Sequence, residues 1–424
     1  MVTRTLYNGA IDAMLDNGLR VLVEPVAQSR AASIALWCNV GSRDDPDEHP
    51  GIAHFIEHLA FKGTATRTFR EISKTIDSVG GHLDAATSRE ATFYYADVPG
   101  DGVTVARDLL FELALQPSFP NEGIEIERSV VLEEIRGHNE DPEARAYDLF
   151  ASTVWPNRHP LSRPILGSGD SIRSLTREAI VAHHRSHYRP EHLTLVACGA
   201  VDPTAFVAET EELVALTRIG DEPGNPIPQR HAPRVVAGSV HHGQAAQQQS
   251  HVYIAFPGPS ASDPDRFALD VANTVLGDGT SSWLFQTIRE ERGWAYAIGS
   301  GITRYSDNGL WLAYAAVAPS VAGEVSSHIQ QAFERLHTAP LPPEDLALAK
   351  SRLRGLFILA QESNGSRALR LGTAAMTGRE ILAPDEVLCR LDAVDERAVL
   401  RAVRRFLDPD RMNSTVVGPE VVGA

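Results

Sequence analysis

The chain has 424 residues, with 39 Lys+Arg against 55 Asp+Glu and a formal net charge of −16. That balance argues against nucleic acid or an anionic membrane surface as its main partner, because both attract clustered positive charge. An apolar fraction of 43% supports a large core and 22% charged residues of mixed sign exclude a disordered chain. The longest apolar run, residues 310–318, is far shorter than the roughly 18 residues needed to cross a bilayer. The opening residues carry no apolar segment of secretory type. Cys38, Cys198 and Cys389 stand apart from one another, with no CxxC pair, so a reducing cytoplasm is the expected setting.

In chain order, strand patterns at 20–26 and 32–40 lead through a charged loop to a helix pattern from Gly51. A second helix and a hairpin over 80–98 follow, and then a helix over 103–115. Residues 220–234 hold four prolines and two glycines and read as an extended linker. Beyond it the same order returns: a strand at 250–256, helices from Arg266 and over 282–292, a hairpin over 295–317 and a helix over 321–336. Strands mixed with helix pairs, without strict alternation, point to an α+β protein. It has two homologous halves, 1–219 and 235–424, each with a mostly antiparallel sheet.

The sharpest local signal is His54-Phe-Ile-Glu57-His58. Pro50 can start a helix there and Lys62-Gly63 can end one. On a helix, positions 54 and 58 lie within about 40° of each other and 57 stands beside them. Two imidazoles can therefore grip one metal while a carboxylate waits at its edge. A hydrolytic zinc site needs three protein ligands, an open position and a base, and HxxEH is the inverted zincin pattern. Such a pattern arises by chance in roughly one chain of this kind in twenty-five, so it needs a third ligand in support. Residues 124–136 offer Glu127 and Glu134, seven apart and on one helix face, with Glu133 about 100° away. Spacing alone does not choose between Glu127 and Glu134.

Together these residues resemble the M16, or pitrilysin-type, zinc peptidases, over essentially the whole chain and at the size of the short dimeric members. In that family a ligating Glu follows HxxEH by about 76 residues, within an E-R-x-V segment. Here 134 − 58 = 76, and Glu127-Arg-Ser-Val stands at the matching place. The resemblance implies two α/β-roll domains, with 1–219 binding Zn2+ and 235–424 binding substrate. It makes His54, His58 and Glu134 the ligands, Glu57 the base acting on zinc-bound water, and Glu127 a carboxylate supporting catalysis. Substrates would be unfolded peptides or leader segments cleaved inside a closed chamber.

The resemblance also implies that the hairpin strand after Gly80-Gly81 takes peptide by β-addition, through Asp84, Ala85 and Thr87. The family usually has Asn-Ala there, whereas Asp84 keeps the acceptor and loses the amide donor. In the second half, Arg289 and Tyr296 match a pair that holds substrate backbone, while Trp283 stands where Arg is common. Because this one chain carries both sets, a homodimer is expected to suffice, with a heterodimer containing a homologous subunit as the alternative. A scaffold without activity is the other reading, although scaffold members typically lose ligands or base.

A second histidine pair, His183 and His187, precedes Pro190 and reads as helix capping and packing. His241-His242 and the Gln-rich run 244–249 read as loop. Gly277-Asp-Gly279 is too short for a dinucleotide loop, and no P-loop or GxSxG elbow is present.

Overall fold

The computed structural model describes residues 1–156, 158–217, 229–244 and 247–419. Most of the expected linker, 220–228, lies outside the described residues, as do residues 245 and 246 of the Gln-rich run. The chain forms two compact units. Met1–Gly137, Pro164–Arg230 and Leu359–Ala383 make the first, and His138–Arg163, His231–Ile358 and Pro384–Ala424 make the second.

The first unit contains strands β1 (Val2–Thr5), β2 (Ile11–Met14), β3 (Arg20–Pro25), β4 (Ala31–Cys38), β5 (His82–Thr87), β6 (Thr92–Pro99) and β7 (Leu193–Gly199). They form one sheet in the order β1-β2-β3-β7-β4-β6-β5. Only β3 and β7 run parallel; the other pairs are antiparallel. The second unit contains β8 (Gly238–Gly243), β9 (Ser250–Gly258), β10 (Ala295–Arg304), β11 (Gly309–Val317) and β12 (Asn413–Gly418), in the order β10-β11-β9-β12-β8. There too a single pair, β8 with β12, is parallel. This is the expected α+β duplication with mostly antiparallel sheets. Among the described residues, no helix is long and apolar enough to cross a membrane.

Side-chain alternation explains which strands are central. β4 is buried at every position after Ala31, as a strand covered on both faces must be. Helices Ile52–Ala60 and Val103–Leu115 share the main core on one face. Helix Asn364–Met376 covers β4 and β7 on the other. β6 instead alternates, with Tyr94, Ala96 and Val98 buried and Asp97 exposed.

Two helices belong to the unit opposite their place in the chain. Asn364–Met376 docks on the first sheet, where Gly372 lies so close to the Trp37 indole that a Cβ would stand 2.1 Å from it. Its Arg370 reaches the buried Glu24 of β3 at 2.9 Å, Arg367 pairs with the same carboxylate, and Tyr7 donates to it at 2.9 Å. Pro142–Val154, conversely, packs on β9 and β12.

Two local expectations are corrected. His241-His242 belong to β8, because backbone pairing with β12 makes a strand of residues that have no apolar alternation. Within 282–292, Phe285–Glu290 forms a π-helical turn in place of a regular helix. β1 and β2 have no counterpart in the sequence reading, as β1 is exposed at every position and held by its ladder with β2.

Candidate metal centre

The HxxEH residues sit on the nine-residue helix Ile52–Ala60. Its N-terminus is made by Gly51, held at φ +93°, where a Cβ would stand 2.6 Å from the Leu166 carbonyl. Buried Asp45 accepts from the Gly51 and Ala53 amides at 2.6 and 3.1 Å, so the helix is capped from six residues upstream. The stretch before it is fixed in turn. The Ser42 and Arg43 amides donate to Ser88 and Arg89 carbonyls at 3.0 and 2.8 Å, and the Arg43 guanidinium pairs with Glu90 at 2.5 Å. Sequence reading missed Asp45, because a cap supplied by a loop leaves no fixed spacing to find.

His54, His58 and Glu134 bring one ligand atom each to within 4.8 Å of one another, the single such group among the described residues. His54 Nε2 lies 3.7 Å, and His58 Nε2 3.6 Å, from Glu134 Oε2. Tetrahedral coordination at zinc bond lengths separates donors by roughly 3.3 Å, close to both ring-to-carboxylate distances, so the three donors suit one such ion. Glu134 comes from helix Asn121–Glu140 and is the exposed member, whereas His54 is buried. Burial and the neighbouring His58 push the His54 pKa down to about 4, which keeps the ring neutral and able to bind metal.

Glu127 lies on the same helix but behind His58, not beside the open side of the triad. His58 Nδ1 donates to Glu127 Oε2 at 2.9 Å, which leaves Nε2 facing Glu134. Lys62 pairs with the other Glu127 oxygen. Burial would raise the Glu127 pKa, but hydrogen bonds from His58 and Lys62 outweigh it and hold the carboxyl below its ordinary value. Burial would likewise lower that of His58, yet the Glu127 bond and nearby carboxylates raise it. Lys62 stands four residues beyond His58, the helical spacing that brings both to the same carboxylate. His54 Nδ1 is buried without a hydrogen-bond partner among the described residues, so the two imidazoles are held differently.

Glu57 is oriented by Thr87 of β5, whose hydroxyl donates to Oε2 at 2.5 Å. Burial raises the Glu57 pKa against the opposing effects of Thr87 and His58. Thr87, expected to meet substrate, thus also links the β5 edge to the motif helix. Asp84 is exposed on that edge, and Ala85 packs against the core. Arg289 and Tyr296 belong to the second unit. Arg289 lies in the π-helical turn, 4.8 Å over the Phe285 ring. Tyr296 is 80% exposed at the register shift that opens β10. Trp283 donates to Asp345 at 2.8 Å and stacks under Arg335, so it packs where an Arg would reach out. His183 and His187 rings lie 4.3 Å apart but gather no third ligand among the described residues; they are core and helix-end residues.

Residues 20–169 match the family model described as insulinase, peptidase family M16, and 174–353 match the M16 inactive-domain model. An uncharacterized zinc protease of Streptomyces coelicolor is 34% identical over 96% of this chain and 88% of its own length. One of Bacillus subtilis is 29% identical over 93% and 95%. A Helicobacter pylori protease has the same fold, with a TM-score of 0.90 at 22% identity over 97% and 99% of the two chains. With its two half-chains, its duplicated sheets and relatives matched along nearly its full length, the chain belongs to the M16 family of peptidases, in its short two-domain form.

Proposed function

We propose that the chain is a zinc-dependent endopeptidase acting on unfolded peptides. The observation that carries this reading is the convergence of His54, His58 and Glu134 with Glu57 alongside. The relatives named zinc protease support it. The inactive-domain match covers 174–353, which contains none of these residues.

His54 and His58 would hold the ion through Nε2 and Glu134 through its carboxylate. Zinc so bound supplies a Lewis acid that polarises a peptide carbonyl and acidifies water. Glu57 takes a proton from the attacking water onto its carboxylate and delivers it to the leaving amine nitrogen. The Thr87 hydroxyl keeps that carboxylate aimed during both transfers. Glu127 fixes the ring of His58 and touches no reacting atom, so it is a positioning residue. On the substrate side, β5 offers Ala85 and its neighbours as a strand to pair with, and Arg289 and Tyr296 supply donors to peptide carbonyls. A closed chamber, pairing with a second copy or a homologous subunit, and a cytoplasmic setting belong to the same proposal. Family membership supports the first two, and three unpaired cysteines the last.

The test is cleavage of a fluorogenic peptide library by the intact chain and by Glu57→Gln. Loss of about three orders of magnitude with zinc retained is expected. Equal rates in both proteins would remove Glu57 from the reaction. A zinc-loaded chain that cleaves nothing would favour a subunit that needs a partner, and a chain without zinc a scaffold.

A further inference from the structure

The free edge of β5 is guarded by the protein's own carboxylate. Among the described residues β5 ends the sheet, paired on one side only, with β6. The Ser88 amide donates to the Ala91 carbonyl at 2.7 Å and closes the hairpin, so Ser88 and Ala91 form a hydrogen-bonded pair. Antiparallel alternation then makes Thr87–Thr92, Ala85–Tyr94 and Leu83–Ala96 the pairs without mutual hydrogen bonds. The N–H and C=O groups of Leu83, Ala85 and Thr87 therefore face away from β6, along the open edge. One of those donors is already taken: the Ala85 amide donates to Asp84 Oδ1 at 2.8 Å. The second Asp84 oxygen accepts from the Tyr95 hydroxyl at 3.1 Å.

We propose that Asp84 is a charge selector, releasing the Ala85 amide to an incoming peptide and favouring Lys or Arg at the peptide residue directly across from it. This rests on peptide binding at the β5 edge, as proposed above. The incoming carbonyl takes the Ala85 N–H, and Tyr95 retains the displaced carboxylate. Asp84 turns its own N–H and C=O toward β6, so it forms a non-hydrogen-bonded pair with an added antiparallel strand, the arrangement in which facing side chains lie closest. A cation there replaces the lost amide contact, and an acid there meets a like charge. Asp97, exposed on the same face two positions along, adds to the negative potential. The capped amide also blunts the edge against pairing with unrelated strands when no substrate is present.

The experiment measures binding of fluorescent nonapeptides, each carrying Lys or Glu at one scanned position, to the Glu57→Gln chain. Opposite- and like-charge cross-strand pairs together give roughly a tenfold Lys-over-Glu preference, expected at one position of the scan. It should fall to within about twofold in Glu57→Gln/Asp84→Asn, where the shape is kept, the charge removed and only Asp97 remains, and invert with Asp84→Lys. Equal affinities for Lys and Glu, a preference indifferent to residue 84, or no binding at all would overturn the proposal. Selective binding that depends on Asp84 in a chain whose wild type cleaves nothing would retain this inference and overturn the reading of the chain by itself as a peptidase. Cleavage without a preference linked to Asp84 would do the reverse.

Discussion

The two units run the same strand order, β3-β7-β4-β6-β5 in one and β8-β12-β9-β11-β10 in the other, each with its parallel pair at the corresponding place. In both, a helix follows the inner strand and precedes the hairpin: Ile52–Ala60 after β4, and Arg266–Leu276 after β9. The first presents His54, Glu57 and His58. The second spends its polar residues on its own unit, with Asn273 Oδ1 accepting from Trp311 Nε1 at 3.0 Å and from Ser300 Oγ at 2.8 Å. Asp270 likewise takes Arg304 at 2.6 Å. A shared scaffold position thus serves metal-ligand geometry in one unit and packing in the other, so function is read from side chains and not from topology.

Substitutions can break that contrast. Glu134→Gln should abolish peptide cleavage, by a thousandfold or so, because one of three metal ligands is lost. Glu133→Gln, one residue away and paired outward with Arg136, should stay within about twofold of wild type; rates measured side by side decide this.

Acid should strain the first unit through its buried histidines. Burial, then His187 and the other neighbouring histidines, pushes the His183 pKa down to about 3. Burial holds His184 at about 4, against the Ala114 carbonyl to which its ring donates. Their folded values lie below the unfolded value, so the unfolded chain binds more protons and stability falls as pH drops through about 6.5 toward 4. At pH 5 each costs on the order of 2 kcal/mol relative to neutral pH. Urea midpoints at pH 7 and pH 5 measure this, and a His183→Gln/His184→Gln chain should show a smaller drop if it folds.

Glu127→Gln should weaken zinc affinity about 10- to 100-fold without unfolding the chain, which competition with a chelator would show. Unchanged affinity would place Glu127 outside the site. The smallest effect belongs to the second unit. Asn273→Ala leaves the Trp311 N–H without its partner and should cost roughly 1–3 kcal/mol by denaturation, with zinc content unaltered.

Much of this contrast was legible in the sequence. Helical period placed His54, Glu57 and His58 together, the resemblance to the M16 peptidases singled out Glu134 through its 76-residue spacing, and the apolar run 32–40 announced a strand. Periodicity could not separate Glu127 from Glu134, since both lie on one helix face. Their roles differ because one meets Nδ1 of His58 and the other faces Nε2 of both rings. The exchanged helices 142–154 and 364–376 were also hidden, because an amphipathic pattern shows that a face is buried and not which sheet buries it. Asp45 and β8 escaped for a related reason: a loop-borne cap and an exposed parallel strand depend on backbone partners distant in the chain.

The most direct measurement is the zinc content of the purified chain, by elemental analysis, beside that of His54→Ala/His58→Ala. One zinc per chain is expected in the first and none in the second, with both folded by circular dichroism. No zinc in the wild type, or one per chain in both, would contradict the proposed metal site.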